Sequence, residues 1–148
     1  MANSVVTINN LVKRFPVGGD FFTALKNINL TLGKGDFTGL VGPSGSGKTT
    51  LLNVIGGLDS PSSGSVTVLS KSLADTSHNE RAELRRKNMG FIFQSYNLLP
   101  VYTVFENVEF PLILNKVDPQ ERDKKVTRAI EWVGLSDCLL YTSPSPRD

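Results

Sequence analysis

One stretch constrains this chain more than any other: G-P-S-G-S-G-K-T-T, residues 42–50, lying between an apolar run at residues 37–41 (F-T-G-L-V) and a helical pattern that begins near Lys48 with Leu51, Leu52 and Ile55 on one face. Strand, glycine loop and helix in that order require a βα unit. The loop satisfies G-x-x-x-x-G-K-[ST] through Gly42, Gly47, Lys48 and Thr49, with a further glycine at position 45. A polyphosphate is best held by many backbone N–H groups converging in one concavity, at the positive end of a helix macrodipole. Glycines let the backbone come that close. In this pattern Lys48 supplies a point charge to the β- and γ-phosphates, and the Thr49 hydroxyl sits one residue on to ligate Mg²⁺. A glycine-rich βα turn that binds nothing is the bland alternative, and the strand and helix flanks weigh against it.

The bulk properties leave room for one globular domain. The chain has 148 residues, 39% of them hydrophobic and 20% charged, and a formal charge of +2. So small a charge gives no electrostatic reason to expect nucleic acid or an acidic membrane surface as a partner. Arg81, Arg85, Arg86 and Lys87 form the one basic cluster and read as a solvated helix face. A single cysteine, Cys138, leaves no internal disulfide and suits a reducing compartment. The start, M-A-N-S-V-V-T-I, lacks the pattern of a secretory signal, and no run approaches the ~20 apolar residues of a membrane span. A soluble chain is expected, meeting membranes only through a partner.

Taken in order, residues 5–15 read as a strand bent near Asn9 and Asn10, residues 16–20 as a turn, and residues 25–32 as a second strand with Ile28, Leu30 and Leu32 on one side. These two strands predict a small antiparallel layer over an α/β core. Phe15, ending the first strand, is either a core residue or a flat platform for a nucleobase. Residues 65–69 form a short strand, and residues 79–87 a helix with caps at 75–79; His78, solitary, is a surface or capping residue. Residues 89–93 (M-G-F-I-F) read as a buried parallel strand ending at Gln94, on the rim where open α/β sheets bind ligands. A glutamine merely ending a strand is the default there. Thr103 and Glu106 make a capping box, with Pro111 an irregularity in the helix that follows. Asp118, Pro119 and Glu121 open another helix, whose stripe is Val126, Ala129, Ile130 and Val133, closed by Gly134.

Together these residues resemble the ATP-binding subunit of ABC transporters, in particular the lipoprotein-releasing and macrolide-type exporters. The matching blocks are Phe15, residues 42–50, N-V-I-G-G-L-D at 53–59 followed by P-S-S-G, G-F-I-F-Q-S-Y-N-L-L-P at 90–100, E-N-V-E-F-P-L at 106–112 and V-G-L-S-D at 133–137. The resemblance implies Mg²⁺-ATP held by the Walker A loop through Gly42, Ser44, Gly45, Ser46, Gly47, Lys48, Thr49 and Thr50, with Phe15 stacking on adenine. It implies Gln94 as the Q-loop glutamine, reaching metal and attacking water, and Thr49 and Gln94 as metal contacts. The implied partners are a transmembrane permease, touched by residues 94–107, and a second ATP-binding subunit. The implied location is cytoplasmic, peripheral on the inner face of the cell membrane. Phenylalanine at position 15 departs from the tyrosine more often found there; the stacking survives, but any hydroxyl contact does not.

The resemblance predicts an α/β fold: a P-loop NTPase core of the ABC ATPase type, with an N-terminal antiparallel β layer and the start of a helical subdomain, truncated. The expected division is residues 1–95 as β layer and core, 96–137 as partial helical subdomain, and 138–148 as a non-native or disordered tail, its alternating prolines forbidding helix and central strand alike. No L-S-G-G-Q signature, Walker B glutamate or switch histidine follows, so an N-terminal piece that binds ATP without hydrolysing it is expected. Weak folding cooperativity or aggregation is also expected, because the loop's strand would lie between open edges. Two rivals stay in play: a non-hydrolysing ATP-sensing module, and a P-loop kinase or GTPase, the latter disfavoured by the missing guanine-reading N-K-x-D.

Overall fold

The computed structural model describes residues 4–93, 95, 97–138 and 141. It comprises two compact units, residues 1–90 and residues 91–148.

The first unit is built on a long hairpin, β1 (Ser4–Val17) and β2 (Asp20–Gly33). Gly18 and Gly19, both with positive φ, form a two-residue loop whose twist suits the two strands, so the turn is tighter than residues 16–20 and Pro16 and Val17 belong to the strand. The bend foreseen at Asn9 and Asn10 is a β-bulge. Asn10 takes a φ of 49°, its N–H donates to Asn29 Oδ1 at 2.8 Å, and the pairing register slips between Ile8 and Leu11. The slip switches the parity of the buried residues, from Val6 and Ile8 to Leu11 and Lys13. β2 compensates at Asn27, also at φ 49°, so that Leu25 and then Ile28, Leu30 and Leu32 all reach the same core.

β3 (Ser63–Val68) pairs antiparallel with β1, and the two-residue β4 (Lys71–Ser72), which sequence periodicity is too short to reveal, pairs with β3; the sheet order is β2-β1-β3-β4. Gly64 is obligatory here. Its φ is +85°, and a Cβ would lie 2.3 Å from the carbonyl oxygen of Asn10, inside the bulge. On one face of the sheet, Leu51 and Val54 of α1 (Lys48–Ile55) and Leu84 of α2 (His78–Asn88) join Ile8, Leu11, Leu25, Val66, Val68 and Leu73 in the core. The buried side of α1 is thus Leu51 with Val54, while Leu52, expected inside, is exposed. Ser77 and Glu80 form a capping box at the start of α2, where His78 is exposed.

Two expected strands and the reading of the basic cluster also need correction. Residues 37–41 form no strand: no described segment pairs with their N–H and C=O groups, and Phe37 and Val41 are almost fully exposed. Residues 89–93 likewise join no ladder; Phe91 and Phe93 stack on each other at 5.8 Å and Ile92 faces solvent. An apolar run specifies that a segment could be buried, but a parallel strand exists only where neighbours accept its backbone hydrogen bonds. The basic cluster is only partly a solvated face. Arg81 donates to Ser60 Oγ and Arg85 to the Gly57 carbonyl, both at 2.6 Å, while Arg86 and Lys87 pair with Glu83.

The second unit holds α3 (Val104–Leu114) and α4 (Pro119–Trp132), followed by a short 3₁₀ turn, Ser136–Cys138. Thr103 and Glu106 form the expected capping box, Asp118 caps α4, and Pro111 lies within α3. Arg122 joins the two helices, bonding Glu109 Oε1 at 2.8 Å and the Val117 carbonyl at 3.0 Å. Val126 and Ile130 are buried as expected, but Val133 caps the helix end and is exposed. Apart from Cys138 and Tyr141, the expected tail at 138–148 lies outside the described residues.

Candidate phosphate-binding site

The loop at residues 42–47 hands over to α1 without any side-chain cap. Gly47 is the N-cap residue, at φ 89°, and the first helical bond runs from Leu51 N–H to the Gly47 carbonyl at 2.9 Å. The amides of Lys48, Thr49 and Thr50 therefore head the helix with no partner from the helix itself. No acidic side chain occupies the first turn. Partial positive charge thus concentrates where Gly42, Ser44, Gly45 and Ser46 wrap the helix start.

Lys48 adds a full charge to that concavity. Its Nζ donates to the carbonyls of Gly42 at 2.8 Å and Pro43 at 2.7 Å, and to Ser46 Oγ at 3.3 Å. The ammonium is thereby folded back over the loop. The loop is also fixed to the sheet: a Cβ on Gly47 would stand 2.8 Å from the Ala24 carbonyl oxygen and 2.9 Å from Leu25 Cδ2, so no larger residue fits without displacing β2. Gly45, at φ 78°, faces open space. Its glycine is required by backbone conformation alone.

Phe15 lies opposite Phe22 in the hairpin and is half-buried, on the same side of β1 as Lys13. Lys13 is 9% exposed and reaches the turn after α1, donating to Asp59 Oδ1 at 2.5 Å and the Ser60 carbonyl at 2.8 Å. Its Nζ also stands 4.9 Å from the centroid of the Phe15 ring. Phe15 therefore shares a sheet face with α1. Gln94, the remaining candidate, lies outside the described residues.

Lys13 was not among the residues singled out from sequence. The sequence offers only a lysine two residues from both Leu11 and Phe15; that this position faces inward follows from the register slip in β1. Asn107 was also missed as an organiser. Its side-chain amide donates to the carbonyls of Leu99, Tyr102 and Thr103 and accepts from the Leu99 N–H at 2.8 Å, holding the chain before α3 in place.

The sequence pattern that defines the ABC transporter family matches residues 25–145. The chain belongs to that family. It is 43% identical over 95% of its length to the macrolide export ATP-binding/permease protein MacB of Bartonella quintana, covering 21% of that protein. To the lipoprotein-releasing system ATP-binding protein LolD of Legionella pneumophila it is 37% identical over 95% of its length, covering 62% of that protein. Among solved structures, the dimeric cassette MJ0796 of Methanocaldococcus jannaschii, bound to ADP and Pi, superposes with a TM-score of 0.85 at 37% identity, covering 94% of this chain and 61% of that one. The chain thus spans about three fifths of the length of a single-cassette relative. These likenesses establish an α/β fold of the ABC ATPase type. Among the described residues no helix is long and apolar enough to cross a membrane.

Proposed function

We propose that this chain binds Mg²⁺-ATP at residues 42–50 and, within the protein it represents, serves as the nucleotide-binding part of a transport ATPase. The observation that carries the reading is the uncapped N-terminus of α1, with its orphan amides and the Lys48 ammonium gathered in one glycine loop. That donor set fits a triphosphate, because every group it offers is a hydrogen-bond donor or a positive charge.

In this proposal the amides of Gly45, Gly47, Lys48, Thr49 and Thr50 and the hydroxyls of Ser44 and Ser46 hold the phosphate oxygens, Lys48 neutralises charge on the β- and γ-phosphates, and Phe15 stacks on adenine. Thr49 and Gln94 offer oxygen ligands to Mg²⁺, whose chemistry is to bridge and neutralise phosphate oxygens. A second copy of the subunit and a transmembrane permease are the partners, which would hold the protein at the cytoplasmic face of the membrane. That pairing accords with the dimeric MJ0796 cassette and with the joint ATP-binding and permease naming of MacB. Lipoprotein release or export of drugs or peptides is the class of work such a subunit would power. The 148 residues alone are proposed to bind ATP without turning it over, since orientation of phosphates supplies only part of the barrier reduction.

Isothermal titration calorimetry of Mg²⁺-ATP into the chain, with and without Lys48→Ala, tests the reading. Binding that the substitution abolishes or weakens at least tenfold is expected. Absence of binding, or binding indifferent to the lysine, would overturn it. Phosphate release in the same samples separates binding from turnover, and lysine-dependent steady hydrolysis would refute the second half of the proposal.

A further inference from the structure

We propose that Lys13 is a positioning residue for the nucleobase, its ammonium setting the Phe15 ring from behind while the turn after α1 holds the ammonium itself. The inference rests on the reading of Phe15 as the base-stacking residue. It deepens that reading by adding a residue that neither touches phosphate nor belongs to the glycine loop.

Lys13 is the one charged side chain among the described residues that is buried. An ammonium taken out of water is costly unless it is paired and hydrogen-bonded, and its place between Leu11 and the core would be filled as well by an apolar chain of the same length. The charge has three contacts: the Asp59 carboxylate, the Ser60 carbonyl and the face of the Phe15 ring. The first two belong to a braced turn. Asp59 Oδ1 also accepts from Ser60 N–H at 2.8 Å, the amides of Leu58 and Asp59 both bond to the Asn53 carbonyl, and Arg81 and Arg85 grip Ser60 and Gly57 from α2. The third contact is the functional one. A cation over one face of an aromatic ring is attracted to its π cloud and fixes the ring's plane, leaving the opposite face for a second flat system.

Both halves of the ligand site are thereby referenced to the same helix. The phosphate loop leads into its first residue, and the base platform is tied through Lys13 to the turn beyond its last. The ligand class that would feel this device is a triphosphate bearing a planar heteroaromatic base. A triphosphate without a base would not feel it.

Calorimetry of the full 148-residue chain with Mg²⁺-ATP and with Mg²⁺-tripolyphosphate separates the roles, using Phe15→Ala, Lys13→Met, Lys13→Arg and the Phe15→Ala/Lys13→Met double variant. Lys13→Met is expected to weaken ATP about 3- to 5-fold, the scale of one cation–π contact. It should leave tripolyphosphate binding in place and add nothing once Phe15 is alanine. Lys13→Arg keeps a cation over the ring and is expected to retain the preference for ATP over tripolyphosphate. Should Lys13→Met not fold, the arginine variant decides alone, and loss of that preference overturns the proposal. Equal weakening of both ligands by Lys13→Met, or a loss that adds fully to that of Phe15→Ala, also overturns it. A selective effect of Phe15→Ala without one from Lys13→Met sinks this inference while sparing the stacking reading. No selective effect of Phe15→Ala sinks both.

Discussion

Two glycines of the loop at residues 42–47 separate backbone strain from close packing, and replacing each with alanine measures the difference. Gly45 and Gly47 both hold left-handed backbone, at φ 78° and 89°. An L-residue there costs about 1–2 kcal/mol. For Gly45→Ala nothing further is added, since no atom lies within 4 Å of the new Cβ. For Gly47→Ala the Cβ arrives 2.8 Å from the Ala24 carbonyl oxygen, a backbone atom that moves only with β2. Overpacking of that kind costs a further ~1–3 kcal/mol. The expected losses are therefore about 1–2 kcal/mol for Gly45→Ala and about 2–5 kcal/mol for Gly47→Ala. Urea denaturation followed by far-ultraviolet circular dichroism, without nucleotide, reads both through the shift in midpoint at constant slope. Equal costs for the two variants, or a Gly47→Ala chain as stable as the parent, would refute the idea that Gly47 seats the loop against β2.

Acid should loosen α2 and the start of α3 in a defined window. Glu83 is held down to about 2, mainly by side-chain hydrogen bonds from Arg86 and Lys87, and Glu80 and Glu106 are lowered chiefly by the backbone N–H groups of Ser77 and Thr103. Because these folded values lie below the ordinary 4.5, their stabilisation is complete above that pH and is lost as pH falls, toward about 2 for Glu83; a helical signal unchanged from pH 6 to pH 2 would contradict this. Thr103→Ala removes the α3 cap and is expected to cost about 1 kcal/mol in thermal or urea unfolding. Asn107→Asp replaces the amide donor facing three carbonyls with an acceptor and should cost about 1–3 kcal/mol by the same measurement, whereas no loss would show that these contacts do not hold the segment before α3. Gly64→Ala, driven against the Asn10 carbonyl, should unfold the hairpin edge at lower urea than any of these.

What could be read from sequence was local. The loop glycines, the bend near Asn9 and Asn10, the Thr103 box and the Asp118–Pro119 cap each declare themselves within a few residues, because backbone conformation and capping are set by near neighbours. What escaped depends on distant partners. Residues 37–41 and 89–93 carry strand-like composition, yet composition cannot supply the neighbour that makes a strand. Arg81 and Arg85 look like surface charge until the turn at residues 57–60 is folded beneath them. Lys13 is hidden by the same logic in reverse: its burial follows from a parity switch that the bulge introduces, and only the folded register shows it facing inward.

The solvent-facing ribbon at residues 37–41 has a practical corollary. Its backbone groups are open to any β-segment of another molecule, and its phenyl and isopropyl side chains reward that encounter with removal from water. Solutions of this chain should accordingly cloud in proportion to protein concentration, and kosmotropic salt should lower the threshold. The same five residues lead directly into the glycine loop, so whatever sheathes the ribbon also steadies the approach to the proposed phosphate site.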